Sequence, residues 1–384
     1  MKRWDAIVIG AGIIGLSLAI DLNKRGMRVS LVEKGEPGRE ASWAAGGMLA
    51  DFPLEMPPAL AELAAASARM YPEFVRELED ESRLKIDLRG PGTLVFAPAA
   101  ELAARCGPVS ATELEASHPL PAPLTDLEPE LRVPAHAPVC LYLNERSVDP
   151  RHVTAAALAA AKHRGIDVSS GNAVEAIEVE AGKVAGVRTS KTRFAADVVV
   201  NCAGAWAAQI AVDGRGARLS TWLPTRPVKG QMLCVAMPRR ELVRNVVRTP
   251  DVYLIPRSDG RMLIGATQEE AGFDKHTVSE TIQKLRQAAL NAVPALAEAR
   301  TLEAWAGLRP GTPDNLPILG QTSAPGYFAA AGHFRDGILL APVTALVMGQ
   351  VIAGEKPSLD LTAFRPTRFH QAGAAEFTPQ RHAG

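Results

Sequence analysis

The chain has 384 residues, of which 47% are hydrophobic and 22% charged, so it can bury a core over two or three domains' worth of sequence. Its 42 basic and 42 acidic residues give a formal net charge of zero, which argues against nucleic acid or an anionic membrane as the main partner because both attract a basic excess. The four cysteines form no C-x-x-C unit, so we expect no metal site, no redox pair and no disulfide framework, and a cytoplasmic location.

The N-terminal region has the pattern of one β-α-β unit. Residues 5–9 predict a buried strand, 12–24 a helix and 28–33 a second strand. The uncharged run 6–20 superficially resembles a signal peptide, but no cleavage site follows it. That run and the other long uncharged run, 337–354, are shorter than the roughly 20 apolar residues that a membrane helix needs. We therefore predict no membrane span.

The middle of the chain alternates between helical and strand-rich stretches. Residues 57–82 predict one or two helices broken near Pro72. A helix is predicted over 150–164, with Asp149 as its N-cap. Short strands between these helices are predicted at 85–88, 93–97 and 139–143.

The second half begins with a predicted hairpin, in which 173–180 and 183–189 join at Ala181-Gly182. A buried strand follows at 197–201. Residues 219–305 are again rich in strands around a helix near 279–291, and 306–365 return to strand, glycine-rich loop and apolar helix. The tail 366–384 is expected to be poorly ordered.

This alternation predicts two interleaved domains in an α/β protein. A Rossmann-like cofactor domain of the glutathione-reductase type would take 1–84, 146–218 and 306–365. A substrate domain built on an antiparallel sheet would take 85–145 and 219–305.

The first turn carries a dinucleotide fingerprint, G-x-G-x-x-G, at Gly10, Gly12 and Gly15. The first glycine permits the tight turn, the second lets the backbone approach a pyrophosphate, and the third lets helix and strand pack closely. Glu33 ends the next predicted strand, where a carboxylate can accept hydrogen bonds from a ribose. Because Glu33 disfavours a 2′-phosphate, the pattern favours FAD or NAD over NADP.

The long excursion of the chain favours FAD over NAD, since FAD is held by segments that are distant in sequence. Residues 40–48 follow the acidic strand and are mostly small, as close approach of a backbone to a cofactor requires. Trp43 and Met48 argue against a purely solvated loop there.

Several sequence blocks together resemble one family. The most specific is Gly332-His333-Phe334-Arg335-Asp336-Gly337-Ile338-Leu339-Leu340. The chain resembles the glycine oxidases of thiamine biosynthesis, in the D-amino acid oxidase group of FAD-dependent oxidoreductases, in order over nearly its whole length. The other blocks are Ser42-Trp43-Ala44-Ala45-Gly46-Gly47-Met48-Leu49, Tyr253-Leu254-Ile255-Pro256-Arg257, Gly265-Ala266-Thr267 and Trp305-Ala306-Gly307-Leu308-Arg309-Pro310.

This resemblance implies a set of site residues. Arg309 would hold the substrate carboxylate, and Arg335 and Tyr253 would line the same pocket. FAD would be non-covalent, because the C-terminal glycine-rich block has no cysteine. The implied cofactor contacts, with the fingerprint glycines, are Gly10, Gly12, Ile13, Ile14, Gly15, Glu33, Lys34, Ala41, Ser42, Gly46, Gly47, Met48, Val174, His333, Phe334, Arg335, Asp336, Gly337, Ile338 and Leu339.

The residues themselves suit amino-acid oxidation. The guanidinium fork of Arg309 can pair bidentately with a carboxylate, although its placement in a predicted loop equally suits a surface arginine bonded to carbonyls. Taken alone, Tyr253 is more often a core tyrosine with a satisfied hydroxyl, and His333 is more often structural than catalytic. We assign no acid–base residue, and expect direct hydride transfer from Cα to flavin N5 with O2 as the acceptor, giving H2O2.

Some positions depart from the family pattern, namely Asp336, Gln268 and Asp251, and they leave the side-chain preference open. The alternatives are a sarcosine or D-amino acid oxidase, a quinone-linked glycine or D-amino acid dehydrogenase, a non-catalytic FAD scaffold, and an NAD-dependent dehydrogenase. The resemblance also implies a homo-oligomer, with a tetramer expected.

Overall fold

The computed structural model describes residues 3–52, 56–106, 110–214 and 223–369. The strands within them, in chain order, are β1 Arg3–Ile9, β2 Val29–Val32, β3 Met48–Leu49, β4 Leu88–Arg89, β5 Thr93–Ala97, β6 Val139–Leu143, β7 Arg146–Val148, β8 Asp167–Ser169, β9 Val174–Glu180, β10 Lys183–Thr189, β11 Arg193–Asn201, β12 Ala211–Gly214, β13 Arg226–Ala236, β14 Val246–Arg248, β15 Tyr253–Pro256, β16 Arg261–Gly265, β17 Arg300–Gly311, β18 Ile318–Gln321 and β19 Tyr327–Ala331. The helices are α1 Ile13–Lys24, α2 Ala41–Ala44, α3 Ala61–Ser82, α4 Ala99–Cys106, α5 Ala111–Ser117, α6 Leu124–Leu127, α7 Pro150–His163, α8 Ser279–Ala292 and α9 Ala341–Ile352.

A nine-stranded sheet carries the N-terminal unit. Strand β1 pairs in parallel with β2 on one side and β11 on the other, and β19 pairs in parallel with β11. Because both faces of a parallel sheet are covered, its central strands are mostly apolar, as in β2, which is wholly buried and has Ser30 as its one polar residue. Helix α1 contacts α7 and α9, and α3 contacts both of those helices.

A seven-stranded sheet has the order β17-β13-β16-β15-β14-β5-β6. Its longest ladder is antiparallel, between β13 and β17, and runs from the pair Arg226 and Gly311 to the pair Ala236 and Arg300. Helix α8 packs on β13 and β16. A small third sheet, β3-β7-β4, completes the strands of the described chain.

The predicted fold class is confirmed, and so are several local predictions. The hairpin β9–β10 turns at Ala181 and Gly182, which both have positive φ, as expected of a two-residue hairpin turn. Asp149 caps α7 by accepting hydrogen bonds from the main-chain N–H groups of Arg151 and His152. The two large sheets take their strands from alternating stretches of sequence. The exact domain bounds stay a prediction.

The predicted helix break near Pro72 was wrong, because Pro72 lies inside the continuous helix α3. An interior proline costs about 3 kcal/mol. Here the helix is anchored just before the proline, where Ser67 Oγ donates a hydrogen bond to the carbonyl of Leu339 (2.6 Å) and the Tyr71 hydroxyl donates to that of Ile338 (3.1 Å). After the proline, the helix buries Val75 and Leu78. Tertiary contacts therefore outweigh the local preference.

Two other placements differ from the sequence predictions. The strand predicted at 85–88 is only the short β4, Leu88–Arg89. Arg309 lies within β17, opposite Val228 of β13, and not in a loop.

Of the predicted tail, Pro366–Phe369 form a short 3-10 helix, and 370–384 fall outside the described residues. No helix in the described part of the chain is long and apolar enough to cross a membrane.

Candidate active site

A cavity of about 570 Å³ is bounded by residues of both large sheets. One end is formed by the turn after β1 and by the end of β2. The other end is formed by side chains of β14, β15 and β17. These two parts of the cavity differ in chemistry.

The glycine turn leaves no space for side chains. Gly10 has φ +97°, and a Cβ added there would lie 2.6 Å from the carbonyl oxygen of Cys202. A Cβ at Gly15 would lie 1.9 Å from the carbonyl oxygen of Gly10, so this glycine allows α1 to pack on β1. The N-cap of α1, Gly12, contributes no side-chain cap. The helix start thus presents main-chain N–H groups and a positive dipole end, which favour a phosphate.

Glu33 is held against this turn. Its side chain is 8% exposed, Oε2 accepts a hydrogen bond from the N–H of Ala11 (2.8 Å), and Oε1 accepts from that of Gly35 (2.9 Å). Each carboxylate oxygen has a further lone pair, so hydroxyls can also be bound. The Lys34 ammonium lies 3.0 Å from the ring centroid of Trp206, and burial lowers the pKa of Lys34.

The small-residue segment, residues 40–48, is bound to strand β17 of the seven-stranded sheet. Trp305 of β17 donates a hydrogen bond from Nε1 to the carbonyl of Ala44 in α2 (3.0 Å). The rings of Trp43 and Trp305 meet edge to face at 5.8 Å, and the Arg151 guanidinium lies 3.6 Å from the Trp43 centroid. A Cβ at Gly47 would lie 2.0 Å from the Val148 carbonyl oxygen. The main chain at 46–48 therefore forms one wall of the cavity.

Arg309 of β17 lines the other end of the cavity, near Tyr253. Its Nη1 donates to the carbonyl oxygens of Thr267 (2.9 Å) and Lys229 (3.3 Å). The guanidinium packs on Gly230, where a Cβ would lie 2.3 Å from Nη1. Burial lowers the pKa of Arg309, while a hydrogen bond with Tyr253 opposes this shift. The cation is therefore fixed in position inside the protein.

Tyr253 stands beside this arginine. Its ring packs on Gly265, where a Cβ would lie 2.6 Å from Cε2, and its hydroxyl is 4.0 Å from Sδ of Met232. Arg335 also lines the cavity and is close enough to Arg309 for their charges to interact. The structure thus brings together Arg309, Tyr253 and Arg335, as the resemblance implied.

The C-terminal glycine-rich loop closes the cavity. The N–H of Phe334 donates to the carbonyl of Pro310, which ties the loop to the residue after Arg309 (2.9 Å). His333 is 3% exposed, and its Nε2 is 3.1 Å from Oγ1 of Thr344. Burial lowers the pKa of His333 to about 3, so the ring is neutral at pH 7 and unsuited to donating a proton.

Nearly all of the implied cofactor and substrate residues line this one cavity. The exceptions are Gly15, which packs α1 on β1, and Leu339, which is 1% exposed in the main core. Gln268 and Asp251, two of the departures from the family pattern, are also absent from the lining. Asp251 instead lies 3.1 Å from Nε2 of His136 at the surface, so it is removed from the substrate end.

Sequence reasoning missed Arg248, which lines the cavity and is 5% exposed. It lies 3.7 Å from Oε2 of the buried Glu145, on a strand position directly opposite Tyr253. Its signal in the sequence was a charged residue inside an apolar strand. Gly230 was also missed, because its importance depends on a neighbouring strand.

The cavity suits FAD by its own chemistry. A helix start with a glycine N-cap, a buried carboxylate and several glycines lie at one end, and a fixed cation lies at the other. Of the N–H groups at the helix start, that of Ile13 donates to Oγ of Ser42 (3.0 Å). The described residues contain no group of three or more side chains able to hold a metal ion.

Comparisons with known proteins agree with this geometry. The model of the family "FAD dependent oxidoreductase" matches residues 5–351. Hydrogen cyanide synthase subunit HcnC of Pseudomonas aeruginosa is 30% identical over 97% of this chain and 98% of its own. A glycine oxidase of the same organism is 32% identical over 94% of this chain and 98% of its own. The crystal structure of glycine oxidase from Geobacillus kaustophilus superposes with a TM-score of 0.85 at 30% identity, covering 100% of both chains.

Proposed function

Since the chain belongs to the family of FAD-dependent oxidoreductases, we propose that it oxidises glycine, and other small amino acids, to the imine and 2-oxo acid. The observation that carries this proposal is the part-buried guanidinium of Arg309, which two carbonyls hold in the lining of the same cavity as the dinucleotide turn. Two relatives of comparable similarity are glycine oxidases by name, one of them matched over its full length in structure.

The substrate carboxylate binds Arg309. Because Nη1 is held by the carbonyls of Thr267 and Lys229, the fork cannot swing, and its remaining N–H groups can pair with the two carboxylate oxygens. The Tyr253 hydroxyl, beside the same guanidinium, supplies a further hydrogen bond to the substrate. These contacts fix the direction of the Cα–H bond, which is how orientation lowers a barrier.

When FAD is bound, it would supply the acceptor for the hydride of Cα and the route by which the two electrons reach O2, giving H2O2. The protein itself orients the substrate and supplies the electrostatic field around it. We assign no proton-transfer residue: the substrate amine reacts in its neutral form, and the neutral, buried His333 is bonded to Thr344. The imine leaves the site and is hydrolysed to the 2-oxo acid, or is consumed in thiazole synthesis for thiamine.

The remaining assignments are proposals of the same kind. FAD is bound non-covalently: Cys202 is the cysteine among the described lining residues, it lies beside Gly10 at the pyrophosphate end, and burial raises its pKa. The cytoplasm is proposed because the four cysteines are free. A homotetramer is proposed from the family resemblance, and light scattering of the purified protein tests it.

The similarity to HcnC favours one second candidate, a glycine dehydrogenase that passes electrons to a quinone or a partner subunit. The two candidates share the substrate site and differ in the acceptor. Oxygen consumption and H2O2 formation, measured with glycine in the presence and absence of a soluble quinone, separate them.

Replacing Arg309 tests the substrate site. We expect Arg309→Ala to raise KM for glycine by about 30-fold or more, since loss of one partner of a buried charge pair costs about 2–5 kcal/mol. Bound FAD should stay at the wild-type level, because Arg309 lies at the substrate end. Glycine, sarcosine and D-alanine should be compared in both proteins. An unchanged KM would remove Arg309 from this role.

A further inference from the structure

A second cavity, of about 310 Å³, shares no lining residue with the first. It lies where the turn between β15 and β16 meets the segment after β13 and the short strand β4. Its described lining residues are Arg89, Met237, Arg240, Glu241, Val243, Arg257, Ser258 and Gly260. Three guanidiniums and one carboxylate thus surround a small space.

Arg257 forms the buried wall of this cavity. It is 2% exposed, and its Nη2 donates to the carbonyl of Gly46 in the wall of the first cavity. Its Nε and Nη1 are buried without a hydrogen-bond partner in the described chain. Buried donors left unmatched are costly, so native proteins rarely keep them without a ligand or water. Burial lowers the pKa of Arg257 to about 10.

The nearby carboxylates are engaged elsewhere. Asp149 accepts a hydrogen bond from Arg261 (2.7 Å) and caps α7, and Asp87 accepts from the N–H and the hydroxyl of Ser258. Both still act on Arg257 by charge. Neither is hydrogen-bonded to its free N–H groups.

The other two arginines add donors to the same space. Arg89 donates from Nη1 to Oγ of Ser258 and from Nη2 to the carbonyl of Arg244, both at 3.1 Å, while its Nε is buried without a partner among the described residues. Arg240 is exposed and forms no hydrogen bond or ion pair within the described chain. Glu241 is 3.9 Å from Nε of Arg244.

We propose that this cavity binds a phosphate-type oxyanion, either free or as the end group of a phosphomonoester. The guanidiniums of Arg257 and Arg89, which carry unmatched buried N–H groups, and the exposed guanidinium of Arg240 line the cavity from different elements. That arrangement suits a compact anion with three or four acceptor oxygens, because guanidinium–phosphate hydrogen bonds are charge-assisted. The site is separate from the flavin cavity and does not depend on the proposed substrate.

Calorimetric titration of the FAD-loaded protein with inorganic phosphate tests the proposal, with chloride balancing the ionic strength. We expect saturable binding that Arg240→Ala weakens by about tenfold or more. Arg239→Ala is the matched control: this arginine is adjacent and exposed, but it pairs with Glu130 at 2.5 Å and does not line the cavity. Its affinity for phosphate should stay within roughly twofold of wild type.

A second arm uses glycerol phosphate in place of inorganic phosphate. Binding of the ester alone, or much more tightly, identifies a phosphomonoester as the ligand. Absence of binding by both compounds, or equal weakening in the two variants, would overturn the proposal. Arg89→Gln gives an independent check, since it removes an unmatched buried donor and should weaken binding as Arg240→Ala does. FAD content and glycine oxidation of Arg240→Ala should be unchanged. A failure of the phosphate proposal can therefore be distinguished from a failure of the proposed function.

Discussion

The guanidinium of Arg309 owes its position to a glycine on the neighbouring strand. A Cβ at position 230 would lie 2.3 Å from Nη1 and 2.6 Å from Cζ. Two carbonyls on the same side hold Nη1, so the side chain has little room to move away. The position of the carboxylate anchor is therefore set by main-chain atoms and by the absence of a side chain.

Gly230→Ala should displace Arg309 without removing its charge. Overpacking of this kind costs about 1–3 kcal/mol, so we expect KM for glycine to rise about tenfold with FAD content unchanged. Gly90→Ala is the control, because a Cβ there meets its nearest atom at an ordinary 3.9 Å. Steady-state kinetics of the two variants decide the matter, and equal KM values would show that Gly230 does not position the arginine.

His333 predicts a pH dependence of stability. Its folded pKa of about 3 lies below the ordinary value of 6.5, so between these values the unfolded chain binds more protons than the folded chain. The contribution of His333 to the free energy of unfolding is fully present above pH 6.5. It is lost as the pH falls towards 3, by at most about 1.4 kcal/mol per pH unit. In His333→Gln the slope of unfolding free energy against pH should be flatter in this range. Identical slopes would mean that His333 is not buried neutral.

At the scale of elements, one indole side chain joins helix α2 to strand β17. Trp305 of β17 donates to the Ala44 carbonyl, and Gly307 lets Ala44 approach, since a Cβ at 307 would lie 2.3 Å from Cβ of Ala44. The seven-stranded sheet therefore holds a segment of the cavity wall. This coupling arises from residues 261 positions apart.

Trp305→Phe should weaken FAD binding. Loss of this hydrogen bond costs about 1 kcal/mol, which corresponds to about a fivefold higher Kd for FAD. Trp43→Phe alters the other indole of the pair and leaves the bond to Ala44 in place, so it should have a smaller effect. Fluorescence titration of apoprotein with FAD measures both, and a Kd in Trp305→Phe equal to wild type would show that the contact does not support the cofactor wall.

Elements whose signals are local could be read from the sequence. The glycine turn with α1, the capped helix α7 and the hairpin β9–β10 follow from neighbouring residues, and all were predicted. Pro72 in α3 could not be, since distant carbonyls at 338 and 339 hold that helix together. The placement of Arg309 within β17, and the roles of Gly230 and Arg248, likewise depend on pairing with other strands.

At the scale of the whole molecule, the cavity is shared by both large sheets, so FAD should link their stabilities. A ligand that binds only the folded state adds about 4.1 kcal/mol at a concentration 1,000 times its Kd. We expect apoprotein to unfold several degrees below the FAD-loaded protein, with FAD shifting one cooperative transition. Differential scanning calorimetry with graded FAD tests this, and two transitions of which only one responds would contradict a shared cofactor site.

In the proposed reaction, the fixed guanidinium of Arg309 aligns a small amino acid against FAD. Mixing the FAD-loaded protein with glycine in the absence of oxygen tests it most directly, with sarcosine and D-alanine in parallel. We expect glycine to bleach the visible absorption of the flavin, and oxygen to restore it with formation of H2O2. A folded, yellow protein whose flavin stays oxidised with all three amines would contradict it.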